Sequence, residues 1–104
     1  MIEYKIVIEE TAKNDLVGII SYIRDKLHEP NIALKLYGSI KKKILTLNKM
    51  PLRYAIVNEE PYRSMSVRKI PVENYTAFYI VDEEEKTVHI FRILYNRREW
   101  QYLL

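Results

Sequence analysis

Arg63, Arg68 and Lys69 fall in and before one extended segment, Arg92 falls in another, and Arg97 and Arg98 follow Tyr95, with Tyr102 near the end. Guanidinium groups that converge grip phosphates or carboxylates bidentately, so this basic and aromatic set is the leading candidate for recognition or chemistry. Arg92 stands apart. In Val88-His89-Ile90-Phe91-Arg92-Ile93-Leu94-Tyr95, strict alternation puts it on the face of Ile90 and Leu94. A guanidinium buried there needs a carboxylate or carbonyl partner, so Arg92 reads as half of a structural ion pair before it reads as a catalyst. A second basic feature is helical: Lys35, Lys42 and Lys49 recur every seven residues along one side. Such a stripe holds nucleic-acid phosphates, faces an acidic partner, or keeps the helix soluble.

Other chemistries lack their parts. Gly18 and Gly38 are the only glycines and both sit inside helical patterns, so no glycine loop cradles phosphates. His28 and His89 have no acid or second His at a ligand spacing, and Cys 0 leaves no thiolate nucleophile, disulfide or thiolate metal site. The run Asp82-Glu83-Glu84-Glu85 reads as a solvated turn, because consecutive acids point in different directions and do not converge on a cation. The expectation is therefore no metal and no small-molecule cofactor.

The elements that position these residues must come from one domain, 1–104, since 104 residues leave no room for a second. With 48% hydrophobic and 30% charged residues, the chain buries a core without disulfide staples. No apolar run approaches the roughly 20 residues that span a bilayer, and Glu3, Glu9, Glu10 and Asp15 interrupt the start where a signal peptide would be apolar. A cytoplasmic protein with no membrane partner is expected. Lys+Arg 17 against Asp+Glu 14 gives +3, too little to announce nucleic-acid binding, but the distribution is uneven. No acid occurs between Glu29 and Glu59, where Lys35, Lys41, Lys42, Lys43, Lys49 and Arg53 collect.

Ile2, Tyr4, Ile6 and Ile8 alternate with Glu3, Lys5 and Val7, which predicts a strand. Ala12, Leu16, Ile19, Ile20, Ile23 and Leu27 predict a helix over about 12–27, with Thr11 as N-cap and Lys26 and His28 in the last turn. Pro30 opens a second helix whose stripe is Ala33, Leu36, Tyr37, Ile40, Ile44 and Leu47, and Pro51 closes it. A loop follows over 52–62, with a short strand at 54–57. Residues 65–70, 75–82 and 87–95 are β-branched and aromatic and read as a meander, turning at 71–74 and 83–86. Both faces of 75–81 are apolar, so this strand is central and covered on both sides. The predicted fold is α+β: a two-helix hairpin packed on one face of a twisted antiparallel sheet of about four strands, in the order β-α-α-β-β-β. The helical stripes are the only cover the sequence offers the sheet.

That order, with Ala12, Asp15-Leu16, Ile19, Tyr22-Ile23, Pro30, Ala33, Leu47, Pro51, Arg68-Lys69-Ile70-Pro71-Val72, Asn74-Tyr75, Tyr79-Ile80-Val81-Asp82, Val88-His89-Ile90, Arg92-Ile93-Leu94-Tyr95 and Arg97-Arg98, resembles the RelE/ParE superfamily of toxins from type II toxin–antitoxin systems, often labelled plasmid stabilization proteins. The resemblance covers nearly the whole chain. It implies a growth-inhibiting toxin with a cognate antitoxin, an acidic and partly disordered segment of which wraps basic helical and sheet surfaces. It also implies one of two activities. RelE-like members cleave mRNA in the ribosome, and for that role the resemblance assigns Lys69, Arg97 and Tyr102 as catalytic. ParE-like members poison DNA gyrase and lack that set; Arg63, Arg68, Arg92, Arg98, Tyr95, Lys35, Lys42 and Lys49 then bind target or antitoxin. Nucleases of the family commonly carry Arg where this chain has Thr76, and some carry His where it has Tyr95, which leans the resemblance to the ParE-like side. A reading of another class is a non-toxic protein-binding module on the same scaffold.

Overall fold

The computed structural model describes residues 2–96 and 104. Strand β1 (Lys5–Ile8) turns Ile6 and Ile8 to the helices, as its alternation predicts, and Tyr4 joins them from the preceding segment. Helix α1 (Glu10–Ser21) begins ahead of Thr11, so Thr11 lies in its first turn; the N-cap is Glu9, which makes no side-chain capping bond. The helix runs on into one wider turn, Tyr22–Lys26, where the Leu27 N–H donates to the Tyr22 carbonyl at 3.2 Å. His28 then adopts φ 54° and the Glu29 N–H returns to the Ile23 carbonyl, which reverses the chain. Pro30 opens helix α2 (Pro30–Leu45), as its missing N–H allows at the first helical position. Short 3-10 turns follow at Thr46–Asn48 and Pro51–Arg53.

The strands of the meander are β2 (Arg68–Val72), β3 (Tyr75–Asp82) and β4 (Thr87–Tyr95). Pro71 and Val72, expected in the turn, belong to β2. Pro71 is tolerated because β2 is an edge strand, where a missing ladder donor costs little. The turn itself is Glu73-Asn74. The segment 54–57 contributes only an isolated bridge, from Ile56 to Arg68.

The sheet order is β1-β4-β3-β2, which makes β3 an internal strand as predicted. The sheet is mixed rather than antiparallel, because β1 pairs with β4 in parallel, Lys5 opposite Thr87 through Ile8 opposite Ile90. The helical hairpin explains this. It ends beside the start of β1, where the Tyr4 N–H donates to the Asn48 carbonyl at 2.8 Å. The chain therefore sets out along β2 in the direction of β1, and two further reversals bring β4 parallel to it.

Both helices share one core with the sheet: Ala12 and Ile23 from α1 and its last turn, Ala33, Leu36, Ile40 and Ile44 from α2, and Ile70, Val72, Ala77, Tyr79, Val88, Ile90 and Ile93 from the strands. A second cluster covers the other face of the sheet, built on Phe78 and Leu94 with Val57 and Val67. The helices are thus not the only cover; the connection between α2 and β2 supplies the rest. β4 serves both clusters by alternation, and a bulge decides which of its later residues face which way. Phe78 pairs with Arg92 while Tyr79 pairs with Ile90, so Phe91 is an extra residue and the alternation of β4 flips beyond it. Ile90 and Ile93 consequently face the helices and Leu94 faces away, which corrects the expectation that Ile90, Arg92 and Leu94 share a face.

Tyr79 is fully buried, and its hydroxyl donates to the Pro51 carbonyl at 2.7 Å. Burial pushes its pKa up to about 12, against a small opposing pull from Arg68 and Arg53. Tyr79→Phe is expected to cost about 1–2 kcal/mol at neutral pH, because it leaves a buried carbonyl without its donor. The unfolded chain releases the phenolic proton near 10.0 and the folded chain near 12. This group's stabilisation is therefore complete below pH 10 and is lost as pH rises toward 12, with a total of about 3 kcal/mol. Urea midpoints measured across that window should fall less steeply for Tyr79→Phe than for the wild type.

Candidate functional site

Lys69 and Thr76 lie on the face of the sheet away from the helices, since Ile70 and Ala77 next to them point into the helical core. With Phe78, Leu94, Tyr95 and Asn96 they line a shallow concavity of about 210 Å³. The Thr76 hydroxyl donates to Asn96 Oδ1 at 2.6 Å, which ties β3 to the end of β4. Lys69 is the only charged side chain among the described residues that line this hollow. It can hold one phosphate or carboxylate oxygen as a point charge.

Among the described residues, the arginines of the candidate set do not join it. Arg68 faces the helical side, where its Nη1 donates to the carbonyls of Leu52, at 3.1 Å, and Tyr54. Arg92 pairs with Asp15 of α1: its Nε donates at 2.8 Å and its Nη2 at 3.1 Å, with both side chains largely buried. Asp15 also accepts the Ile93 N–H at 2.9 Å. This is the structural partner that the burial of Arg92 demanded. The sequence carried a signal for Asp15, an acid in the helical turn between the core positions Ala12 and Ile19, but not its address. Arg63 is exposed in the turn before β2. Tyr95 is half-exposed at the end of β4, its ring 5.4 Å from that of Tyr75. Arg97, Arg98 and Tyr102 lie outside the described residues.

His89, expected to stand without an acidic neighbour, has its Nδ1 2.7 Å from Glu9 Oε1. The parallel pairing of β1 and β4 brings them together from 80 positions apart. In the acidic turn Asp82 accepts the Glu85 N–H at 3.0 Å and Glu83 accepts the Tyr4 hydroxyl at 2.6 Å; no metal-binding cluster occurs among the described residues.

The expected lysine stripe is shorter than its spacing suggested. Helix α2 ends at Leu45, and Lys49 has extended backbone with its Nζ 4.0 Å from Glu3, so only Lys35 and Lys42 share the helix. Arg53 has a structural duty nearby. Its Nη1 donates to the carbonyls of Lys49, at 2.6 Å, and Met50, at 3.0 Å, which closes the chain after the hairpin.

A larger groove of about 840 Å³ runs between α1 and the far end of the sheet, with Ile19, Tyr22, Leu27, Ile32, Tyr75 and Tyr95 among its lining residues. Gly18 also lines it, and a Cβ added there would meet nothing within 4 Å, so no internal packing requires this helix-weakening residue. No helix among the described residues is long and apolar enough to cross a membrane.

The fold is shared with solved toxin structures. The chromosomal ParDE system of P. aeruginosa superposes with a TM-score of 0.73 at 23% identity, covering 91% of this chain and 98% of that one. The RelBE2 toxin–antitoxin complex of Mycobacterium tuberculosis gives 0.66 at 21%, covering 89% and 98%. A double mutant of E. coli toxin RelE in the free state gives 0.63 at 17%, covering 97% and 92%. No curated protein matches the sequence. The model of the ParE toxin of type II toxin–antitoxin systems, parDE, matches residues 6–100, and on that match this chain belongs to the ParE toxin family.

Proposed function

We propose that this toxin acts in the cytoplasm as a poison of DNA gyrase and is held inactive by a cognate antitoxin. The observation that supports a gyrase target over RNA cleavage is the open-face concavity, where Lys69 is the one cation among the described lining residues and Thr76 is bonded to Asn96. Cutting RNA requires a group to activate the 2′-hydroxyl, charge to stabilise the pentacoordinate phosphate and an acid for the leaving oxygen. A neutral Thr hydroxyl supplies little of that charge. Arg68 and Arg92, which would add it, are engaged on the opposite face of the sheet.

A second reading, ribosome-dependent mRNA cleavage, draws on Lys69, which stands in that hollow with space for a phosphate. Two assays on purified toxin separate the readings: gyrase supercoiling with detection of trapped DNA cleavage complexes, and mRNA cutting on translating ribosomes. The expected result is inhibited supercoiling, trapped complexes and intact mRNA, with Lys69→Ala staying within about threefold of the wild type in the gyrase assay. Codon-positioned cuts with undisturbed supercoiling, lost in Lys69→Ala, overturn the gyrase reading. A chain that is harmless when produced alone and captures no co-encoded antitoxin is instead a binding module, and the toxin reading falls.

A further inference from the structure

The groove between α1 and the far end of the sheet, about 840 Å³, has the size of a small-molecule site and no part in the gyrase reading. Its floor includes Ile19, Leu27 and Ile32, and the last two are exposed rather than folded into the core. Tyr75 and Tyr95 stand at one end with ring centroids 5.4 Å apart and planes inclined at 56°, and Tyr22 comes from the helical side. The three phenols and the side-chain amides of Asn14 and Asn74 have no hydrogen-bond partner among the described residues. Burial holds the Tyr75 hydroxyl above its ordinary pKa of 10.0, so it stays a neutral donor.

The charge of the groove is one-sided. Asp15 and Glu29 are the ionisable acids among its described lining residues, and no Lys or Arg accompanies them. Asp15 is neutralised by Arg92, whereas the Glu29 carboxylate has no partner among the described residues. A chain of net charge +3 therefore presents an unbalanced negative charge in this one hollow. Gly18 adds room: an added Cβ there meets nothing within 4 Å, so a ligand can approach the α1 backbone closely.

We infer that this groove binds a small organic cation, a protonated amine carried on an aromatic or aliphatic body. The body lies on Ile19, Leu27 and Ile32, and the charge is answered by Glu29 and by the faces and hydroxyls of the tyrosines. The lining selects that class. A phosphate or carboxylate would meet Glu29 with no cation to offset it, and a plain hydrocarbon would desolvate the phenols and the carboxylate without pairing them. The groove shares Leu94 and Tyr95 with the Lys69 hollow but not its cation, so the two take ligands of opposite charge.

The test titrates the full chain with dansylcadaverine, an environment-sensitive fluorophore ending in a primary amine, and with the dansyl amide of aminohexanoic acid, which ends in a carboxylate. The amine is expected to bind saturably, with blue-shifted emission, at least about fivefold more tightly than the carboxylate. Glu29→Gln is expected to bring the two dyes within about twofold of each other. Gly18→Leu fills the groove with a better helix former, so it should melt no lower than the wild type and bind the amine at least about tenfold more weakly. No binding of the amine, equal binding of both dyes by the wild type, or unchanged binding in Gly18→Leu overturns the inference. So does light scattering that shows a wild-type dimer lost in Gly18→Leu, because a second copy then fills the groove. Any of these failures leaves the gyrase reading standing, since that reading rests on the supercoiling and mRNA assays alone.

Discussion

Asp15→Ala is expected to destabilise the protein by about 3–5 kcal/mol, the cost of breaking a largely buried ion pair from one side. Asp15 and Arg92 are only 15% and 20% exposed, and the carboxylate carries three donors at once, two from the guanidinium and one from the Ile93 N–H. Removing it takes the counter-charge from Arg92 and the acceptor from a backbone donor next to the bulge. Arg92→Ala is expected to cost less, because Asp15 then keeps the Ile93 N–H. Asp15→Asn, which retains an acceptor without the charge, should fall between the wild type and Asp15→Ala. Urea unfolding at constant m-value measures the order. A loss below about 1 kcal/mol for Asp15→Ala would show a solvated, dispensable pair. The pair also clamps α1 onto β4 beneath the groove that Asp15 itself lines.

Phe78→Ala is expected to cost about 3–5 kcal/mol, the usual range for emptying a well-packed aromatic site. Phe78 is 1% exposed although it points away from the helices. Its neighbours Val57 and Val67 come from the connection ahead of β2, and the Val57 N–H donates to the Val67 carbonyl at 2.8 Å to hold that connection closed. Unlike Asp15→Ala, this substitution should loosen the cover of the outer face before the whole fold melts. Amide exchange should then quicken at Val57 and Val67 more than at Ile40 or Ile44 in the helical core. Uniform acceleration across both clusters would mean that the two faces unfold as one unit. Phe78 also lines the concavity that holds Lys69, so the variant should widen that hollow.

Much of this molecule was legible from residues a few positions apart. The start at Pro30, the alternation of β1, the doubly apolar β3 and the two helical stripes, apart from the exposed Leu27 and Tyr37, appear in the structure, because helical and extended periods are local properties of the chain. The need of Arg92 for a partner was equally local, since it follows from one guanidinium among apolar neighbours. The identity of that partner was not, and neither was the link between His89 and Glu9. These contacts span 77 and 80 positions, and only the docking of α1 on β4 and the parallel register of β1 select them from all the acids in the chain. Four features were decided by the tertiary structure: the mixed sheet, the bulge at Phe91, the end of the lysine stripe and the separation of Lys69 from Arg68 and Arg92. Strand direction depends on where the helical hairpin returns the chain, and one extra residue in β4 reverses every later side chain. Alternation read from sequence has no means of registering either. The physical reason is that a residue's period is set by its own backbone, whereas its face and its partner are set by strands and helices that meet only after folding.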